Sequence, residues 1–136
     1  MHAILGQTYL AMGRLDPAIR ELERARILSP ESPFNIGVLG DAYGRAGQRA
    51  EAMKLAGEMA GLSRTRYVPP VYRAMICVGL EERSQAMAFL ERAYADRSDW
   101  MVLLDNEPQF DSLRSDPRFR DLLHRIAQPP EQAVQP

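Results

Sequence analysis

The stretch LGQTYLAMGRLDPAIRELERARILSP (residues 5–30) returns in altered form 34 residues later, as LGDAYGRAGQRAEAMKLAGEMAGLSR (residues 39–64). The two stretches match at a leucine, two glycines, a tyrosine and an alanine, namely Leu5/Leu39, Gly6/Gly40, Tyr9/Tyr43, Gly13/Gly47 and Ala18/Ala52. A third copy at the same offset is weak in its first half and clear in its second, QAMAFLERAY (residues 85–94). A fixed period without a gap predicts a repeat architecture.

Each copy carries the local signals of two helices. Asp16-Pro17 predicts a helix start, with a capping carboxylate directly before a proline of the first turn. Gly13 and Gly47 are expected in the turns between paired helices. Apolar spacing predicts helices over residues 2–13, 16–28, 34–46, 49–62, 70–80, 83–96, 99–104 and 117–127.

The pattern resembles the tetratricopeptide repeat, whose L-G-x2-Y…A-x3-F…P outline has a period of 34. The first copy fits with Leu5, Gly6, Tyr9, Ala18, Leu22 and Pro30. The departures are His2 in place of Trp, Ala56 and Arg64 in the second copy, and Arg73, Ala74 and Cys77 in the third. The resemblance implies an all-α fold, a right-handed α-solenoid of about three helix pairs.

The small residues of the repeat have a packing role. Gly6 facing Ala18, and Gly40 facing Ala52, would let two antiparallel helices approach closely. Each pair leaves an apolar face uncovered, so neighbouring pairs are expected to stack.

A duplicated phrase follows the third copy in NEPQFDSLRSDPRFRDLL (residues 106–123). Acidic-Pro-x-Phe-x-x-Leu occurs first around Phe110 and again around Phe119. The phrase fits either a peptide-docking or phosphate site, or two aromatic anchors that pin a cap over the last helix pair. We favour anchors, because aromatics at helical spacing usually face a core. We therefore expect a repeat domain over residues 1–127, with a cap from about residue 99 and a disordered tail over residues 128–136.

This ending also resembles the carboxyl-terminal repeat region of large bacterial regulatory proteins. There, similar arrays follow winged-helix, nucleotide-cyclase or protein-kinase domains, none of which contributes a residue to this chain. The sequence begins inside its first repeat, which fits either a fragment of a longer protein or a short gene product.

Composition excludes several function classes. A net charge of −1 provides no field for nucleic-acid backbones or anionic lipid. Cys77 is the single cysteine, so a reducing, cytoplasmic compartment is expected. No apolar run reaches 18 residues and no basic-then-apolar leader opens the chain, so we expect no membrane span.

Catalytic, metal and cofactor motifs are absent from the sequence. His2 and His124 lack a neighbouring nucleophile with an orienting carboxylate, and with Cys77 they make no metal-ligand spacing. The glycine-rich stretch GVLGDAYGRAGQR (residues 37–49) lacks the Gly-Lys-Ser/Thr ending of a phosphate loop. We expect no enzyme activity, no metal and no cofactor.

The resemblance implies that the first helix of each pair lines a concave groove where a protein or peptide partner binds. The inward positions are Ala3, Gln7, Leu10, Phe34, Gly37, Asp41, Gly44, Arg45, Val71, Met75 and Val78. A chaperone-tail clamp is not expected, because these helices hold no lysine. The alternative is a structural spacer or self-association element, with homodimerisation through the open amino-terminal end around Ile4 and Leu5.

Two glycines of the middle helix leave a further alternative open. Gly37, Asp41 and Gly44 share one helical face. The glycines serve either close packing between helices or an open groove floor, along which a partner's backbone lies with Asp41 accepting a hydrogen bond.

Overall fold

The structure is a computed structural model that describes residues 2–96, 104 and 107–127. Its helices are α1 (His2–Ala11), α2 (Leu15–Leu28), α3 (Pro33–Arg45), α4 (Arg49–Thr65), α5 (Pro70–Gly79), α6 (Arg83–Ala95), a 3₁₀ helix (Pro108–Leu113) and α7 (Pro117–Ala127). No strand occurs in those residues. The predicted all-α, tetratricopeptide-like repeat solenoid is confirmed, while its right-handed sense stays a prediction.

The helix bounds agree with the sequence prediction to within about three residues, but the residue that caps the start of α2 differs from the predicted one. α2 begins at Leu15, one residue before the predicted start, and Arg14 occupies the capping position without a side-chain cap bond. Asp16 therefore lies inside the first turn, where its carboxylate faces the positive end of the helix dipole. The predicted cap at Asp16 is wrong. The predicted helix over 99–104, apart from Leu104, and the predicted tail over 128–136 lie outside the described residues.

The turns within the three pairs repeat every 34 residues. Gly13 and Gly47 have φ angles of 76° and 81°, which confirms the predicted turn glycines. Glu81 holds the third position with φ 61°, in the left-handed region that disfavours side chains. In each turn, the N–H of the next residue donates a hydrogen bond of 2.9 Å to the carbonyl five residues earlier. The acceptors are the carbonyls of Tyr9, Tyr43 and Cys77.

Glycines allow the helices to approach one another closely. A Cβ added at Gly6 would lie 2.5 Å from Leu22 Cγ and 3.3 Å from the Ala18 carbonyl, so α1 and α2 approach as predicted. A Cβ at Gly40 would instead meet Ile76 of α5 at 2.7 Å. Gly40 therefore serves the stacking of two pairs, and its predicted pairing with Ala52 is not its closest approach.

The duplicated phrase packs its aromatic rings into the core. Phe110, Leu113, Phe119 and Leu122 are fully buried, as is Leu104. α7 lies against α6 and the 3₁₀ helix against α5. The burial of both rings supports the interpretation of the phrase as a pair of anchors. Throughout the described part of the chain, no helix combines the length and apolarity that a membrane span needs.

Candidate functional site

The candidate site lies where residues 107–113, the inner segment, cross the first helices of the pairs. These helices, α1, α3 and α5, present the surface that we call the inner face. Gln7 of α1 donates hydrogen bonds to this segment, as does Arg45 of α3, and the 3₁₀ helix contacts α5. The surface predicted to receive a partner is thus lined by a segment of the same chain.

Gln109 is the centre of these contacts and is only 3% exposed. Its side-chain oxygen accepts from Gln7 Nε2 at 2.8 Å, and its side-chain nitrogen donates to Asp41 Oδ2 at 3.0 Å. Its backbone carbonyl accepts from Arg45 Nη2 at 3.0 Å. Both ends of the carboxamide are therefore matched, since a carboxylate faces its donor and an amide N–H faces its acceptor.

Asp41 is a fully buried carboxylate beside this carboxamide. Arg45 Nε donates to its Oδ1 at 2.8 Å, so one guanidinium binds both Asp41 and the backbone of the inner segment. Burial raises the pKa of Asp41 to about 6, although Arg45 and Gln109 both favour its ionised form. Asp41 was expected to accept a hydrogen bond from a partner, and here the donor is Gln109 of the same chain.

Glu107 is a second buried carboxyl at the site. Its Oε1 accepts from Gln7 Nε2 at 3.3 Å and from the Gln109 backbone N–H at 3.4 Å. Burial raises the pKa of Glu107, while these hydrogen bonds lower it. The site thus holds two acidic side chains that are harder to ionise than in water.

The glycines of α3 are closed off by α5. A Cβ at Gly44 would lie 2.4 Å from the Gly79 carbonyl carbon and oxygen, and one at Gly37 would lie 2.9 Å from the Tyr72 carbonyl oxygen. These distances support the close-packing alternative, because no partner backbone fits where a helix backbone already lies.

The remaining predicted positions are spread over the core and its border. Leu10 is 2% exposed and Met75 is fully buried. Phe34 packs edge-to-face against Tyr72 with ring centroids 6.0 Å apart. The structure therefore gathers Gln7, Leu10, Asp41, Gly44 and Arg45 around the inner segment, and it places Phe34 and Gly37 beside Tyr72.

Open space remains on two sides of Arg45. A cavity of about 250 Å³ is lined by Gln7, Leu10, Arg45 and residues 107–109, among others. A second, of about 260 Å³, lies between Arg45, Arg83 and Ser112. The inner segment crosses the inner face without filling it.

Catalytic chemistry finds no support at the other titratable groups. Burial raises the pKa of the Cys77 thiol to about 11, so the thiol stays protonated at neutral pH. Over residues 2–96, 104 and 107–127, no three potential ligand side chains come together as a metal would require.

Sequence reasoning missed Glu107 and Gln109 as site residues. It treated the phrase around Phe110 as an anchor alone, and the burial of polar side chains is not visible in local sequence. One signal was available: the variable position of the phrase is Gln109 in the first copy and Arg118 in the second, which predicts different surroundings.

Comparison with protein families matches the tetratricopeptide repeat over residues 1–26. Neither the curated proteins nor the solved structures provide a significant match. Tetratricopeptide repeats generally mediate protein–protein interactions and typically act as non-catalytic scaffolds. The match in the first repeat, together with the all-helical structure, supports a tetratricopeptide-repeat protein.

Proposed function

We propose that the protein is a non-catalytic interaction module that binds a peptide or helix of a partner protein along its inner face, as part of a bacterial regulatory system. The observation that carries the proposal is the binding of the inner segment by Gln7, Asp41 and Arg45. A surface that holds one peptide stretch through both its side chains and its backbone has the chemistry to hold another. The partner-binding positions proposed are Gln7, Leu10, Phe34, Asp41 and Arg45. Of the other positions expected from the sequence, Gly37 and Gly44 pack against α5 and Met75 is fully buried.

The proposal also places the module in a bacterial regulatory system. It is supported by the resemblance of the repeat and its ending to the repeat regions of large bacterial regulatory proteins. A cytoplasmic location, expected from the single cysteine, stays a prediction with it.

A displayed library of random peptides, selected against the whole chain, tests the module directly. We expect enriched peptides whose binding falls at least ten-fold in Arg45→Ala, because Arg45 is only partly exposed and lies between both cavities. Lys54→Ala, an exposed substitution on α4, is the matched control and should leave binding unchanged. Peptides that bind both variants equally would place the binding surface elsewhere, and a failure of any peptide to enrich would favour the alternative below.

The alternative is a spacer or self-association element, and one surface favours it. Ile4 of α1 is 67% exposed, Met12 directly after α1 is 61% exposed, and Ile27 at the end of α2 is 77% exposed. Exposed apolar side chains that join into one patch are typical of surfaces that another protein covers. Sedimentation at rising concentration tests it: self-association that Ile4→Asp abolishes supports the alternative, whereas a monomer at every concentration contradicts self-association.

A further inference from the structure

The duplicated phrase folds in the same way twice. Glu107 Oε1 accepts from the N–H of Gln109 at 3.4 Å, and Asp116 Oδ1 accepts from the N–H of Arg118 at 2.9 Å. In each copy the phenylalanine N–H donates to the backbone carbonyl of the acidic residue, at 3.1 and 3.0 Å. Acidic-Pro-x-Phe-x-x-Leu is therefore a self-capped helical turn, which buries its Phe and Leu and leaves the x position to face its own surroundings.

The x position distinguishes the two copies. Arg118 is half exposed and bonds to Asp116 of its own phrase and to Ser84. Gln109 is buried and forms hydrogen bonds to Gln7 and Asp41. We call these three residues the polar cluster of the inner face. An arginine at the x position of the first copy, as in Arg118 of the second, would offer no acceptor for Gln7. A glutamate at that position would face the Asp41 carboxylate. The inner face therefore selects a glutamine carboxamide.

If the inner segment were only a permanent cap, this polar cluster would be an energetically unfavourable way to hold it. Burying Asp41 penalises its ionised form, and apolar residues of similar volume hold such contacts at equal or lower cost. The second copy shows this within the same chain, since Phe119 and Leu122 are fully buried while its x position lies at the surface. What the cluster adds at Gln109 is selectivity for one sequence.

We infer that the inner face is a receptor for acidic-Pro-Gln-Phe-x-x-Leu segments of a partner protein, and that residues 107–113 occupy it as an internal competitor. The inference rests on the proposed interaction function and names its ligand. The internal segment is covalently linked, so it competes at a high effective concentration. A partner segment then gains apparent affinity in proportion to the fraction of chains whose own segment has left.

A labelled synthetic peptide of residues 106–114, NEPQFDSLR, tests the inference against the full chain. In Gln109→Arg the internal segment carries the x residue of the second copy, while Gln7 and Asp41 remain to receive the peptide. We expect this variant to bind NEPQFDSLR at least ten-fold more tightly than the unsubstituted chain does. The control peptide NEPRFDSLR should bind the variant at least ten-fold more weakly, and adding Gln7→Ala to the variant should weaken NEPQFDSLR.

Three results would overturn the inference. The first is equal binding of the two peptides, and the second is no binding of NEPQFDSLR to a variant with native circular dichroism. The third is a dimer of the unsubstituted chain that exchanges its segments and excludes the peptide, which would make a second copy the occupant. Where Gln109→Arg does not fold, Gln109→Ala provides the same comparison. Library peptides of other sequences that bind at Arg45 would preserve the interaction module while this inference failed.

Discussion

Among the glycines, Gly44 has the least room for a side chain, and an alanine there tests the packing of one helix pair on the next. A Cβ on Gly44 would lie 2.4 Å from the carbonyl carbon and oxygen of Gly79, where ordinary contact begins at 3.4 Å. α3 and α5 must therefore separate by about 1 Å to admit one methyl group. The obstacle is backbone, which has no rotamer to change, so the helices themselves must move.

The magnitude follows from two opposed effects. Overpacking costs about 1–3 kcal/mol, and the rigid obstacle places Gly44 at the upper end. Replacing a helical glycine by alanine returns roughly 1 kcal/mol through helix propensity. We expect Gly44→Ala to lose about 2 kcal/mol of unfolding free energy, or about 7 °C in Tm for a chain of this length.

Urea unfolding followed by circular dichroism measures this change, and α4 provides matched controls. Gly57 and Gly61 are helical glycines, and a Cβ added at either would meet nothing within 4 Å. Gly57→Ala and Gly61→Ala should each stabilise the protein by up to about 1 kcal/mol. A Gly44→Ala variant as stable as these controls would refute the close approach of α3 and α5.

Three further predictions follow from the same structure. Glu81→Gly should stabilise the chain by about 1 kcal/mol, since it removes a side chain from a left-handed backbone conformation; an unchanged urea midpoint would contradict that strain. Phe119→Ala should destabilise it by about 3–5 kcal/mol, and a Tm that barely moves would mean that the ring does not anchor the cap. Stability should fall as the pH rises from 3.8, the ordinary pKa of an aspartate, to about 6, the pKa of folded Asp41. In this range folded Asp41, which faces Arg45, Gln109 and Glu107, keeps a proton that the unfolded chain has lost. Urea titrations at several pH values test this, and a slope that Asp41→Asn leaves unchanged would assign it to other groups.

The repeated helices and turns could be predicted from the sequence, because each copy of the repeat shows the same residue pattern again. The 34-residue period placed the six paired helices, and Gly13 and Gly47 marked turns with positive φ. The same period predicts the Glu81 turn, although no glycine marks it. The helical spacing of the aromatic residues likewise predicted that Phe110 and Phe119 are buried.

Contacts between distant segments were beyond such reasoning. The sequence paired Gly40 with Ala52, whereas its closest approach is to Ile76 of α5, because glycine permits a close approach without indicating which helix approaches. The bond between Gln7 and Gln109 joins residues 102 positions apart, and neither lies in a pattern that points to the other. Only the folded chain brings the polar residues of α1 and α3 to the one glutamine that matches them.

The contact between Gln7 and Gln109 tests the account most directly, through a double-mutant cycle of unfolding free energies. The cycle combines Gln7→Ala and Gln109→Ala, singly and together, in the full chain. We predict a coupling of about 1 kcal/mol, the typical net value of one hydrogen bond, and none between Gln7→Ala and Arg118→Ala, the equivalent position of the second phrase. A coupling between Gln7 and Gln109 no larger than that of the Arg118 control would contradict the account, because the inner face would then not recognise the segment that crosses it.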